Sequence, residues 1–152
     1  MVDLATDRFT VGVFQDATWA ERGIDALVRH GFTPALLSIL AKASPENDAL
    51  AERVFGKRLP HVEVKGLGEA IAHGVLVATL NGGEGELFRL GLAATVRHAG
   101  FQEHDGVIYD RLVERGGILI AVGGDARAAD ALATLHAYGG GHAAIGAWTG
   151  RV

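Results

Sequence analysis

Seven histidines are the densest reactive resource in this 152-residue chain: His30, His61, His73, His98, His104, His136 and His142. Imidazole changes charge nearest neutral pH and is the commonest metal-binding side chain. His98/His104 and His136/His142 repeat one spacing. Two ligands on one helical face need i, i+4 spacing, and the chain has no Cys to supply a thiolate. Spacing alone therefore assigns no metal ligand. A histidine-based metal or cofactor site would have to assemble from distant segments or from two subunits. His30 and His136 fall at predicted helix ends, where a cation is favoured by about 0.3–1 kcal/mol.

The carboxylates give a second candidate chemistry. Glu103, Asp105, Asp110 and Glu114 surround Tyr109 on one predicted helix. Acid/base pairs of the glycosidase kind must face a common cleft, and helical spacing reads here as a solvated polar face. Tyr109 reads as a core aromatic with its hydroxyl near the surface. Gly123-Gly124-Asp125 marks a strand-to-helix junction that could cradle a phosphate, but the Asp125 charge opposes an anion there. Gly66-Leu-Gly-Glu-Ala-Ile71 lacks the closing small residue of a dinucleotide fingerprint, and no Lys follows a glycine loop. Ser38, Ser44 and Thr79 lack the flanking glycines of a nucleophile elbow. No catalytic residue and no cofactor is assigned, and the balance tilts away from an enzyme. The ligand-facing candidates are His98, His104, Tyr109, Gly123, Gly124 and His142.

The elements that would position these groups form a repeat. Shifting the chain by 108 residues aligns Ala20 with Ala128, Ile24 with Leu132, Leu27 with Leu135 and Gly31 with Gly139. Strands are expected at 9–14, 35–40, 117–122 and 142–148, with one helix inside each half, the first capped by Asp16 or by a Thr18-Trp-Ala-Glu21 capping box and the second by Asp125. The expected fold is α+β: a ferredoxin-like four-stranded sheet from two βαβ units, about 9–40 and 117–148. Residues 45–115 are expected to be a helical insertion within one domain spanning 1–152. Its helices are placed at 45–55, 68–80, 84–99 and 103–115, with a polar connection over 56–67. Either these helices or a second subunit must cover the sheet's other face, because a bare Val/Ile/Leu face is too apolar to leave in water.

Composition narrows the partners. The apolar fraction of 49% is ample for one core, and the net charge of −4 without a basic run argues against nucleic acid. The absence of Cys fits a cytoplasmic location. The longest apolar stretches fall far short of the ~20 residues that span a bilayer. Residues 66–80 are the most membrane-like segment, and their shortness and the negative net charge argue against peripheral membrane contact. The 22 glycines mostly fall where turns are expected.

Short motifs carry a family resemblance. Val11-Gly-Val-Phe14, Ala20, Ala26-Leu27, Gly31-Phe32 and Leu37-Ser38-Ile39 look like the opening of the heat-induced general stress proteins, the YflT-like family. Ala99-Gly-Phe101, Tyr109-Asp110, Val113, Gly116-Gly-Ile-Leu119 and Val122 are similar to that family's second signature. Gly66-Leu-Gly68 and Gly74 resemble a reduced form of its glycine-zipper segment. The resemblance implies stress association and supplies no catalytic residue.

The preferred reading is a non-enzymatic, stress-associated domain acting through homo-oligomerisation or contact with another protein. Its candidate interface residues are Trp19, Gly68, Gly74 and Trp148. One alternative is a small-molecule-binding regulatory module of ACT-like type, supported by glycine-bearing strand ends near Gly123 and Gly139. Another is a histidine-based metal or cofactor site at a subunit interface.

Overall fold

The computed structural model describes residues 8–124 and 126–146. Six strands form one open sheet: β1 (Phe9–Phe14), β2 (Leu37–Lys42), β3 (Val62–Val64), β4 (Gly68–His73), β5 (Ile118–Gly123) and β6 (Gly141–Ile145). Their order is β3-β4-β2-β5-β1-β6, and every pairing is antiparallel. This overturns the expected four-stranded ferredoxin-like sheet from two βαβ units. The added strands β3 and β4 come from the stretch expected to hold only a polar connection and a helix.

Helices close both faces. They are α1 (Ala17–Arg29), α2 (Pro45–Phe55), α3 (Val75–Asn81), α4 (Glu86–Leu90), α5 (Leu92–Thr95), α6 (Glu103–Glu114) and α7 (Ala128–Ala137). β1 and β5 are buried at every position, as central strands covered on two sides should be. Phe14, Ile39 and Ile120 join a cluster with Leu27 of α1, Leu50 of α2 and Leu135 of α7. Val11, Leu40 and Leu119 point the other way, toward Leu76 of α3, Leu92 of α5 and Tyr109 of α6. The inserted helices thus cover the second face themselves, and no second subunit is required for that purpose.

The repeat is visible in how its helices stop. In α1, the Gly31 amide donates to the Val28 carbonyl and the Phe32 amide to the Leu27 carbonyl. In α7, Gly139 donates to His136 and Gly140 to Leu135. Both are Schellman ends with the equivalent glycine left-handed, at φ +94° for Gly31 and +91° for Gly139. Of the two caps expected for α1, Asp16 is the one present, the Trp19 amide donating to its Oδ1 at 3.0 Å, and Thr18 lies inside the helix. Ser44 caps α2 in the same way, with Pro45 at its first turn. The Asp125 cap lies outside the described residues.

The middle segment departs most from expectation. Residues 68–80 form no single glycine-spaced helix: β4 runs to His73, Gly74 turns at φ +113°, and α3 begins at Val75. A Cβ at Gly74 would collide with Ser38, lying 2.6 Å from its Cα and closer still to its Oγ. The Gly74 glycine therefore serves a tight strand-to-helix turn rather than helix–helix contact. The expected 84–99 helix is likewise divided, by Gly91 at φ +93°, into α4, α5 and a short 3-10 turn. Local apolar spacing cannot distinguish these alternatives when glycines interrupt the run.

Candidate functional site

Three of the six ligand-facing candidates meet. α6 begins with a reciprocal capping box between Gln102 and Asp105, which fixes Asp105 on the first turn. β6 then brings His142 beside it, with His142 Nε2 3.1 Å from Asp105 Oδ1. His104 Nε2 lies 3.3 Å from the same oxygen. One turn further along α6, the Tyr109 hydroxyl donates to the His142 carbonyl at 3.3 Å. The Tyr109 ring also meets the His142 imidazole edge-on, with centroids 5.3 Å apart, and Phe101 at 5.7 Å.

His142 has a further distinction: it is the one non-glycine residue with positive φ among the described residues, at +50°. It sits where the β1–β6 register shifts between Val11 and Val13. Such a bulge re-aims a side chain, and the local strain is offset by the contacts that hold it. Burial opposes ionisation of Asp105. The hydrogen bonds from His142 and the Gln102 amide, with the charges of His104 and His142, prevail and lower its pKa. Burial, aided by the Asp105 charge, pushes the Tyr109 phenol up. Tyr109 therefore remains a hydroxyl donor at neutral pH. The arrangement clamps β6 to α6.

The other candidates disperse. His98 approaches Glu86 at 3.7 Å, away from His142. Gly123 pairs with Phe9, and the Gly124 amide donates to Arg8, at the opposite end of β5 from Ile118. Among the interface candidates, Trp19 is 38% exposed with the Arg22 guanidinium 5.1 Å from its ring centroid. Gly68 opens β4, Gly74 is packed against Ser38, and Trp148 lies outside the described residues.

A second imidazole–carboxylate cluster was not anticipated. His61, just before β3, has Nδ1 2.8 Å from Glu69 Oε2 of β4 and Nε2 3.0 Å from both oxygens of Asp48 on α2. The hydrogen bond to Glu69, then that to Asp48, raises the His61 pKa. No spacing rule relates residues 48, 61 and 69; only the hairpin and α2 bring them together. The two carboxylates bind opposite edges of the ring, so the imidazole bridges them. Among the described residues, no group of three or more His, Asp or Glu is arranged to hold a metal ion. Nor is any helix among them long and apolar enough to cross a membrane.

Comparison with known proteins returns no match, whether to family models, to curated proteins or to solved structures.

Proposed function

We propose that this chain is a non-enzymatic domain that works by protein contact, pairing with a second copy of itself along β6. The observation that carries the reading is the contrast between the two sheet edges. β3 is three residues long, follows Pro60 and carries Glu63, all features that discourage further strand pairing. β6 is a five-residue run, Gly-His-Ala-Ala-Ile, with no acidic or basic residue besides His142 and no proline.

Its geometry suits strand addition. The Gly146 amide donates to the Phe9 carbonyl at 2.8 Å, so the alternation of an antiparallel ladder turns the Ile145 amide away from β1. An identical β6 running antiparallel across a two-fold axis would satisfy both rows of groups in an isologous contact. The resemblance to heat-induced general stress proteins supports a stress-associated setting for such an assembly.

Light scattering tests the reading. At micromolar concentration the chain should weigh twice its 15.9 kDa mass. Ile145→Pro should halve that mass, because it deletes an outward donor and leaves the Gly146 bond to β1 in place. A monomer at every accessible concentration, or a dimer indifferent to this substitution, would remove β6 as the contact.

A further inference from the structure

The structure assigns a binding site for a small carboxylate with an apolar body to the cleft where β1 ends between the stops of α6 and α7. The cleft measures about 320 Å³. Val13 and Leu112 form its apolar wall, and Gln15 and Arg115 bring polar groups to it. Gly139 forms part of the opposite rim.

The two helix ends shape this space. α6 stops as α1 and α7 do: the Gly116 amide donates to Val113 and the Gly117 amide to Leu112, with Gly116 at φ +106°. Those bonds occupy carbonyls of the last turn that would otherwise confront an anion. After α7 stops, Gly139 brings backbone to the rim. A volume near the lower limit of small-molecule sites suits a ligand of about ten non-hydrogen atoms.

Charge selects the ligand class. Among the described residues, the Arg115 guanidinium has no carboxylate, carbonyl or aromatic partner, and the Gln15 amide makes no hydrogen bond. Glu114, the nearest acid in sequence, is directed to Lys42 at 3.9 Å. An unpaired guanidinium presents a planar fork that matches a carboxylate bidentately. With only one such fork and an apolar wall, the site favours a monoanion carrying a hydrocarbon body over a polyphosphate. This inference does not depend on pairing through β6.

Trp19 supplies a reporter. A Cβ at Gly139 would lie 3.6 Å from the Trp19 ring, so the indole neighbours a residue of the cleft's rim. In full-length Trp148→Phe protein, leaving Trp19 as the sole tryptophan, octanoate should change the emission saturably. Octan-1-ol, of the same length without the charge, should bind at least tenfold more weakly. Arg115→Gln should weaken octanoate by tenfold or more and abolish its advantage over octan-1-ol. Arg111→Gln, one turn earlier on α6 and outside the cleft, should leave octanoate binding unchanged. Absence of saturable octanoate binding would overturn the site. So would equal binding by the Arg115→Gln protein, or an equal loss in Arg111→Gln, which would reduce the effect to general surface charge.

Discussion

The two edges of the sheet are each fastened to a helix by an imidazole and a carboxylate, yet they end differently. At the β3–β4 edge, His61 reaches both Asp48 of α2 and Glu69 of β4. At the β6 edge, His142 reaches Asp105 of α6 and its carbonyl receives the Tyr109 hydroxyl. The first fastening lies beside a short, charged strand that terminates the sheet. The second holds a neutral strand that ends the sheet among the described residues. Fastening an edge and sealing it are thus separate tasks in this fold: the histidines perform the first at both ends, and strand length and charge perform the second at one.

The largest break in this comparison should come from the backbone behind each edge. Gly74 lets β4 turn into α3 against Ser38, whose Oγ accepts the Leu76 amide at 3.0 Å. Gly74→Ala would combine a positive-φ penalty with a backbone collision, costing about 2–5 kcal/mol. Gly139→Ala, near the other edge, also carries a positive-φ penalty, but its Cβ would meet Trp19 at an ordinary 3.6 Å. It should cost about 1–2 kcal/mol. Chemical denaturation of both variants measures the difference. Equal losses would mean that the close approach at Ser38 relaxes easily.

Asp105→Ala should have an intermediate effect, about 1–3 kcal/mol, from the lost hydrogen bonds to His142 and to the Gln102 amide. Its lowered pKa sets the sign with pH: Asp105 stabilises above the ordinary carboxylate range and loses that contribution as pH falls through the folded value. The wild-type advantage should therefore be full at neutral pH and shrink in strong acid. Hydrogen exchange should quicken at the Ala144 amide and remain unchanged at Ile71 in β4. Uniform quickening across the sheet would show that the clamp supports the whole fold rather than one edge.

Much of the β6 side was legible in the sequence. The 108-residue repeat identified α1 and α7, and the matched glycines Gly31 and Gly139 both became left-handed helix ends. Such signals are local: one residue type meets one backbone requirement. The β3–β4 edge was not legible for the same reason. Gly68-Glu-Ala-Ile-Ala-His73 followed by Val75-Leu-Val-Ala-Thr-Leu80 carries apolar residues at spacings that suit either element, and only the collision with Ser38 shows where the chain must turn. Strand count failed with it. The site divided likewise: Tyr109, His104 and His142 were singled out individually, but Asp105, which joins the two imidazoles, read as solvent-facing. Its role depends on β6 returning beside α6, a long-range placement that no spacing within α6 encodes.

The smallest predicted effect is also the most selective test of the sealed edge. In the β3–β4 ladder Glu63 stands directly opposite Glu69, a like-charge pair that opposes the hairpin. His61 offsets it from outside the strand by holding Glu69 and, across the ring, Asp48. Because the folded-state pKa of His61 is raised, its stabilisation is full below the unfolded value of about 6.5 and disappears as pH rises through the folded value. Melting temperatures of wild type and His61→Gln should therefore differ at about pH 5.5 and converge by about pH 9. Asp105→Ala has the opposite acid dependence, so the two edges should be separable by pH alone. A His61→Gln deficit that stays constant across this range would assign the bridge to neutral hydrogen bonding and leave the Glu63–Glu69 repulsion to be balanced elsewhere.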